Sequence, residues 1–136
     1  MGAPNSVRPM NIFEISGRAM SAQLVRMNAT ASNMANAGTV SGSEASAYRA
    51  IKPVFKSVTD SPGVSTVAVD RIVQSDIKPV KRHDPGHPLA DKDGNVWEAG
   101  VDASAELVDM IETARAYQNN IEVMQTAKSL MLDTMI

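Results

Sequence analysis

The sequence predicts a mainly α fold in which two long terminal helices enclose a small β-rich insert. Three observations predict it. Every methionine after the first lies in 10–34 or 110–135, every proline lies outside 10–52 and 89–136, and apolar side chains recur in steps of three and four at both ends. Proline removes a backbone donor and clashes with the preceding turn, so the two proline-free ends are compatible with helix and the middle is not.

In the first segment the repeat runs through Phe13, Gly17, Met20, Leu24, Met27, Ala31 and Met34, which is a heptad seam. Asn11 followed by Glu14 resembles a capping box, and Met10 with Ile15 is placed as a hydrophobic staple. The predicted helix covers Ile12 to Asn36 and is stopped by Gly38, within a first core segment of 10–38. The last segment, 102–136, repeats the pattern at Leu107, Met110, Ala114, Tyr117, Ile121, Met124, Met131 and Met135, broken only by Lys128. Asp102 or Ser104 caps its start, and Glu106, Asp109 and Glu112 place negative charge in the early turns, where it complements the helix dipole. A helix of this length extends about 45 to 50 Å, more than the diameter of a domain this small. Helices get most of their stability from packing. The two seams therefore predict an antiparallel, coiled-coil-like pair, and the apolar chain end at Met131, Leu132, Met135 and Ile136 calls for neighbours from other chains.

Residues 39–101 change character. The runs Tyr48 to Val58 and Val64 to Val73 are β-branched or alternating, and Ser61-Pro62-Gly63, Asp84-Pro85-Gly86 and Asp93-Gly94-Asn95 supply turns. Residues 1–9 hold two prolines and no periodicity, and read either as a flexible leader or as residues left over from expression, outside the fold.

Composition narrows the function. The 136 residues suit one modest core, and aromatics make up only 4% against nine methionines, so the apolar surface is aliphatic and adaptable. With 13 basic and 15 acidic side chains and no basic cluster interleaved with aromatics, nucleic acid is not an expected partner. There is no cysteine to form a disulfide, a thiolate metal site or a nucleophile. No apolar run approaches the ~18 residues that span a bilayer, and Glu14 and Arg18 interrupt the first apolar segment before it can act as a secretory signal.

The densest polar cluster is His83, Asp84, His87, Asp91 and Asp93. Paired histidines bind metal well when a helix sets both rings on one face, but Pro85, Gly86 and Pro88 forbid a helix here, and a solvated turn is the expected reading. Asp91-x-Asp93-Gly94 is a fragment of a calcium loop without its later glutamate. No phosphate loop or nucleophile elbow is present. Neither a cofactor, a metal nor a catalytic residue is predicted. Asn33 and Asn36 sit one helical turn apart and can present their amides to a neighbouring backbone, where the bland alternative is a helix C-cap.

Ser32-Asn33-Met34-Ala35-Asn36 followed by Thr39 resembles the S-N-x-A-N-x-x-T signature of flagellar axial proteins, the family of rod, hook and hook-associated subunits. The run Glu106 to Met131, with Arg115-Ala116-Tyr117-Gln118 and Thr126-Ala127-Lys128, is similar to the C-terminal helix of rod proteins. Further matches lie at Asn11-Ile12-Phe13-Glu14-Ile15, Tyr48-Arg49, and Asp84-Pro85-Gly86-His87-Pro88 with Ala90-Asp91 and Gly94, so that the resemblance covers nearly all of the chain after Pro9. The short insert fits the proximal-rod type. Gly100-Val101-Asp102 departs from the usual Asn-Val-Asp, and Trp97 stands in a variable position.

The resemblance implies a structural subunit and not an enzyme. Its terminal helices would pack with those of copies of itself and of other rod subunits into a helical tube, with the insert outside as a collar. Phe13, Met20, Leu24, Met27, Asn33, Met34 and Asn36 of the first helix, with the seam positions named for the last, become subunit-interface candidates. The family also implies export without a cleavable signal through the flagellar type III apparatus, contact with membrane-ring and rod-junction proteins, and torque transmission across the periplasm. The rival expectations are a secreted helical interaction module and a periplasmic metal-dependent hydrolase.

Overall fold

The computed structural model of the protein describes residues 12–61 and 64–135, and the side chains of all of these except Asp60, Ser61, Val64, Thr134 and Met135. The expected leader, the Asn11 capping box, the Met10 staple, the turn at Pro62-Gly63, the Met135 side chain and Ile136 lie outside what is described. In chain order the elements are α1 (Ile12–Asn36), β1 (Val40–Ser41), β2 (Ile51–Ser61), β3 (Val64–Gln74), β4 (Val80–His83), β5 (Asn95–Glu98) and α2 (Ala103–Met135). Two long terminal helices thus enclose a small β insert, as the proline and methionine distribution predicts.

The 25 residues of α1 and 33 of α2 correspond to lengths of about 37 and 50 Å. They run side by side in opposite directions: Arg26 is bonded to Asp109, whereas Ile12 shares a groove with Val123, Thr126 and Leu130. At the far end of α2, Leu130, Met131 and Leu132 are 62%, 52% and 53% exposed. Asp102 caps α2, its carboxylate accepting from the Ala105 N–H at 3.2 Å and its carbonyl from the Glu106 N–H at 3.0 Å. The stop of α1 is polar and is not the expected glycine. The Asn36 amide donates back to the Ser32 carbonyl at 2.9 Å, and the Thr39 N–H and hydroxyl both donate to the Asn36 carbonyl, at 3.1 and 2.8 Å. Gly38 does not use left-handed backbone; among the described residues only Gly94 does, at φ 76°.

In both helices the buried positions lie beside the predicted apolar seam: Ser16, Thr30, Asn33, Glu106 and Thr113 stand one position before a seam residue, a rotation of about 100°, and Ala22 and Ala29 stand two before. The physical reason is that helices approach closely over small side chains, and Thr30 and Asn33 on this line find hydrogen-bond partners inside the chain, whereas the buried Thr113 hydroxyl does not.

The insert holds two antiparallel sheets. The hairpin of β2 and β3 pairs Ile51 with Gln74, and a bulge places Asp70 as the extra residue between Arg71 and Val69. It lies along α1, where Val67, Ala68 and Val69 face Gly17, Ser21 and Ala22 across a groove. The second sheet has the order β1-β5-β4. Its connecting loop contains Asp84, His87, Asp91 and Asp93, with His83 ending β4, and the Asp91 and His87 side chains hold its turns. The Asp91 carboxylate accepts from the Asp93 and Asn95 N–H groups at 2.9 and 2.8 Å, and His87 Nδ1 accepts from the Leu89 N–H at 3.0 Å. Among the described residues no three His, Cys, Asp or Glu side chains gather as a metal site.

Helices and insert join where Ala50 donates to the Gly100 carbonyl at 3.1 Å, Gly100 donates to the Tyr48 carbonyl at 2.7 Å and Ser75 donates to the Ala50 carbonyl at 2.7 Å. Five of the six buried hydrophobic residues described are alanines, and the sixth is Val96. Backbone proximity takes the place of large side chains. At Gly100 an added Cβ would stand 2.5 Å from the Ile77 carbonyl oxygen and 3.1 Å from the Pro79 nitrogen. Gly100→Ala is therefore expected to destabilise the chain by about 1–3 kcal/mol, because backbone has to move to admit the methyl. Thermal melts of the two forms check this, and equal melting temperatures would contradict it.

Candidate assembly interface

Two polar locks hold the helices and the hairpin in register. The first is Asn33, 1% exposed, which treats the strand end as another strand would. Its amide donates to the Ile51 carbonyl at 2.9 Å while its oxygen accepts from the Ile51 N–H at 2.8 Å and from the Tyr48 hydroxyl at 2.7 Å. Ser32 adds a hydroxyl contact to Tyr48 at 3.0 Å. The neighbouring backbone that Asn33 reaches is thus that of its own chain, and in this conformation it has no surface to offer another subunit. Asn36 caps its own helix.

The second lock joins the helices. The Asp109 carboxylate accepts from Arg26 in a two-pronged ion pair and from the Thr30 hydroxyl at 2.8 Å. Glu112 stands 3.9 Å from the same guanidinium. Partial burial raises the pKa of Asp109, but hydrogen bonds from Arg26 and Thr30 and the charges of Arg26 and Lys52 outweigh it and hold the carboxyl below the usual carboxylate range. Arg26, Thr30, Asp109, Glu106 and Thr113 were not expected at the helix contact. Their signal in the sequence is a line of small and polar residues at helical spacing, one position off the apolar line.

The predicted interface residues divide accordingly. Phe13, Met20, Met27, Met110, Tyr117, Ile121 and Met124 are half-buried within the chain. Leu24 is 44% exposed, Met34 37%, Leu107 50% and Met131 52%, and Ala114 is also exposed. Sequence reading missed Val108 and Ile111, 55% and 53% exposed beside Leu107. Leu107, Val108 and Ile111 form an exposed apolar patch on the early turns of α2. Monomers rarely expose such contiguous patches without using them. Among the described residues no helix is long and apolar enough to cross a membrane.

The Asp109 lock has a pH dependence with a definite sign. A carboxyl whose folded pKa lies below its unfolded value, about 3.9, contributes stability that is complete above that value and is lost as pH falls through the folded pKa. Acid unfolding curves of Asp109→Asn should accordingly be flatter than those of the parent below about pH 4. Parallel curves would show that the ion pair contributes nothing.

Comparison with known proteins matches both ends. Residues 13–41 match the family described as "Flagella basal body rod protein", and residues 92–135 match "Flagellar basal body rod FlgEFG protein C-terminal". The flagellar basal-body rod protein FlgC of Yersinia enterocolitica is 45% identical over 128 residues, covering 93% of this chain and 95% of the relative. That of Salmonella typhimurium is 43% identical with the same coverage, and that of Aquifex aeolicus is 32% identical over 88% of this chain and 90% of its own. With both terminal segments matched and the similarity continuous across the insert between them, the chain belongs to the flagellar basal-body rod protein family, in the group that carries the name FlgC.

Proposed function

We propose that this chain is a structural subunit of the proximal rod, polymerising through its terminal helices into the shaft that carries torque across the periplasm. The observation that carries the reading is the uncovered apolar face of α2 on a chain of this family. Leu107, Val108 and Ile111 lie together near its start, and Met131 and Leu132 are exposed at the far end. Fully burying side chains of this kind contributes about 1.5–3 kcal/mol each, enough in sum to order helices between neighbours. Copies of this chain and other rod subunits cover that face in a helical tube, with α1 and α2 as a coiled-coil-like pair.

In this reading 10–38 and 102–136 form the core of the tube and 39–101 faces outward as a collar. The apolar interface consists of Phe13, Met20, Leu24, Met27, Met34 and the seam of α2, and methionines in it adapt to slightly inequivalent neighbours. Membrane-ring and rod-junction proteins meet the base, and the type III apparatus exports the chain. The subunit acts by packing and performs no catalysis. The relatives support neither a free secreted module nor a metal-dependent hydrolase.

Ile111→Glu tests the reading. Its site is 53% exposed, so the isolated chain should keep its stability within about 0.5 kcal/mol. Buried between subunits, the same carboxylate is unpaired and costs several kcal/mol, so basal bodies should lack the rod. Normal rods built from Ile111→Glu would refute assembly through this face.

A further inference from the structure

The hairpin and the first helix leave an open groove of about 680 Å³ between them. Gly17, Ser21 and Ala22 of α1 form its low side, and Val67, Ala68 and Val69 of β3 its apolar side. Gly17 is the residue that the chain does not explain. A glycine inside a helix destabilises it relative to alanine, and the usual return is a left-handed backbone or a close approach. Among the described residues only Gly94 has a positive φ, and a Cβ added at Gly17 would meet nothing within 4 Å. Gly100, by contrast, is crowded by the backbone of its own chain. The close approach that Gly17 permits is therefore one from outside the chain.

The same molecule carries a ridge that fits. Leu107, Val108 and Ile111 are 50%, 55% and 53% exposed and take no part in lining the groove. A ridge and a groove on different faces of one chain make a heterologous contact, which repeats from copy to copy along a helical assembly. Charge fixes its direction. Along α1 Glu14 is followed one turn later by Arg18, and along α2 Glu112 is followed one turn later by Arg115. Parallel helices would bring like charges together, whereas antiparallel ones set Arg18 against Glu112 and Glu14 against Arg115. That alignment also lays Ile111 over Gly17 and Val108 over Ser21. The helices α1 and α2 are antiparallel within the chain, so copies that point the same way present α2 to α1 in the required sense. Arg18 and Arg115 are exposed, and the Glu112 side chain is 66% exposed with the Arg26 guanidinium 3.9 Å away.

We infer that the groove between α1 and β3 is the docking site for the Leu107, Val108 and Ile111 ridge of a second copy of this chain, antiparallel, with Ile111 seated over Gly17. The inference rests on the proposed rod assembly and deepens it, because it names what covers the exposed patch of α2. The small side chains let the incoming helix approach closely, and the charges at either end of the contact set its register.

Two variants of the full-length chain test it, in cells whose own copy has been deleted. Gly17→Leu fills the groove from within. The isolated subunit should melt at or above the temperature of the parent, since leucine is the better helix former and the site is open, while recovery in purified basal bodies falls about tenfold or more. Undiminished recovery overturns the groove as a docking site, and a lowered melting temperature overturns the claim that its own chain does not need Gly17. The chain has no cysteine, so Ser21→Cys with Val108→Cys gives a pair that the inferred register brings within disulfide reach, with Cα atoms about 4.4–6.8 Å apart. Oxidised basal bodies should yield a ladder of linked chains on a denaturing gel, with neither single variant doing so. Absence of the ladder from basal bodies that contain the double variant shows another occupant, such as a different rod subunit, and overturns the inference while the rod assignment stands. If the parent chain itself is absent from basal bodies, the rod assignment and the groove fall together.

Discussion

The structure depends on the contact between two helix faces that are small and polar where large and apolar faces were available. Asp109 bridges to Arg26 and Thr30, Asn33 grips the start of β2, and alanines fill the space between. Such a face packs closely but gains little hydrophobic free energy, since alanine buries a single methyl. It also fixes direction and register, because a carboxylate and an amide can be satisfied only in one alignment. Of the larger side chains, Leu24, Leu107, Val108, Ile111 and Met131 are left exposed. The rotation of the buried line by one residue from the apolar line is what turns a helical pair into a unit with an unsatisfied exterior.

That division of labour suits a shaft. A subunit whose own folding used the whole apolar seam would be a stable monomer with nothing to bind with, while one with no internal locks would have no defined shape to add to a growing end. Here the polar locks set the shape, and the apolar exterior is available for neighbours. The insert is tied to the same locks. Ile51, where β2 begins, is held by Asn33, and the backbone knot at Ala50, Ser75 and Gly100 lies directly beside it. An insert attached through such short connections moves with the helix to which it is fastened.

Much of the fold was legible because proline placement and residue periodicity are local signals. The two helices, their extents, the hairpin strands and the turn built on Gly94 all follow from backbone preferences of neighbouring residues. What was not legible depends on contacts distant in sequence. Nothing local to Asp109 marks it as the partner of Arg26, 83 positions away, and nothing local to Asn33 says that its amide meets Ile51 rather than another chain. The seam was placed one residue off because hydrophobicity was taken to mark the inner face. Here small and polar side chains take the innermost positions, and the seam residues are half-buried or exposed. Gly100 stood out as a departure from the family pattern, and only the close approach of Ile77 explains why a glycine fits there.

The central claim is that the far half of α2 is ordered by other subunits. Amide hydrogen exchange over Ile121 to Asp133, compared between the isolated subunit and assembled rods, tests it most directly. The account predicts rapid exchange in the isolated subunit, with protection of the Asp109 region but not of the Leu130 to Leu132 turns, and strong protection of the whole helix in the rod. Equally strong protection of Ile121 to Asp133 in the isolated subunit would show that the helix is held within its own chain and would contradict the account.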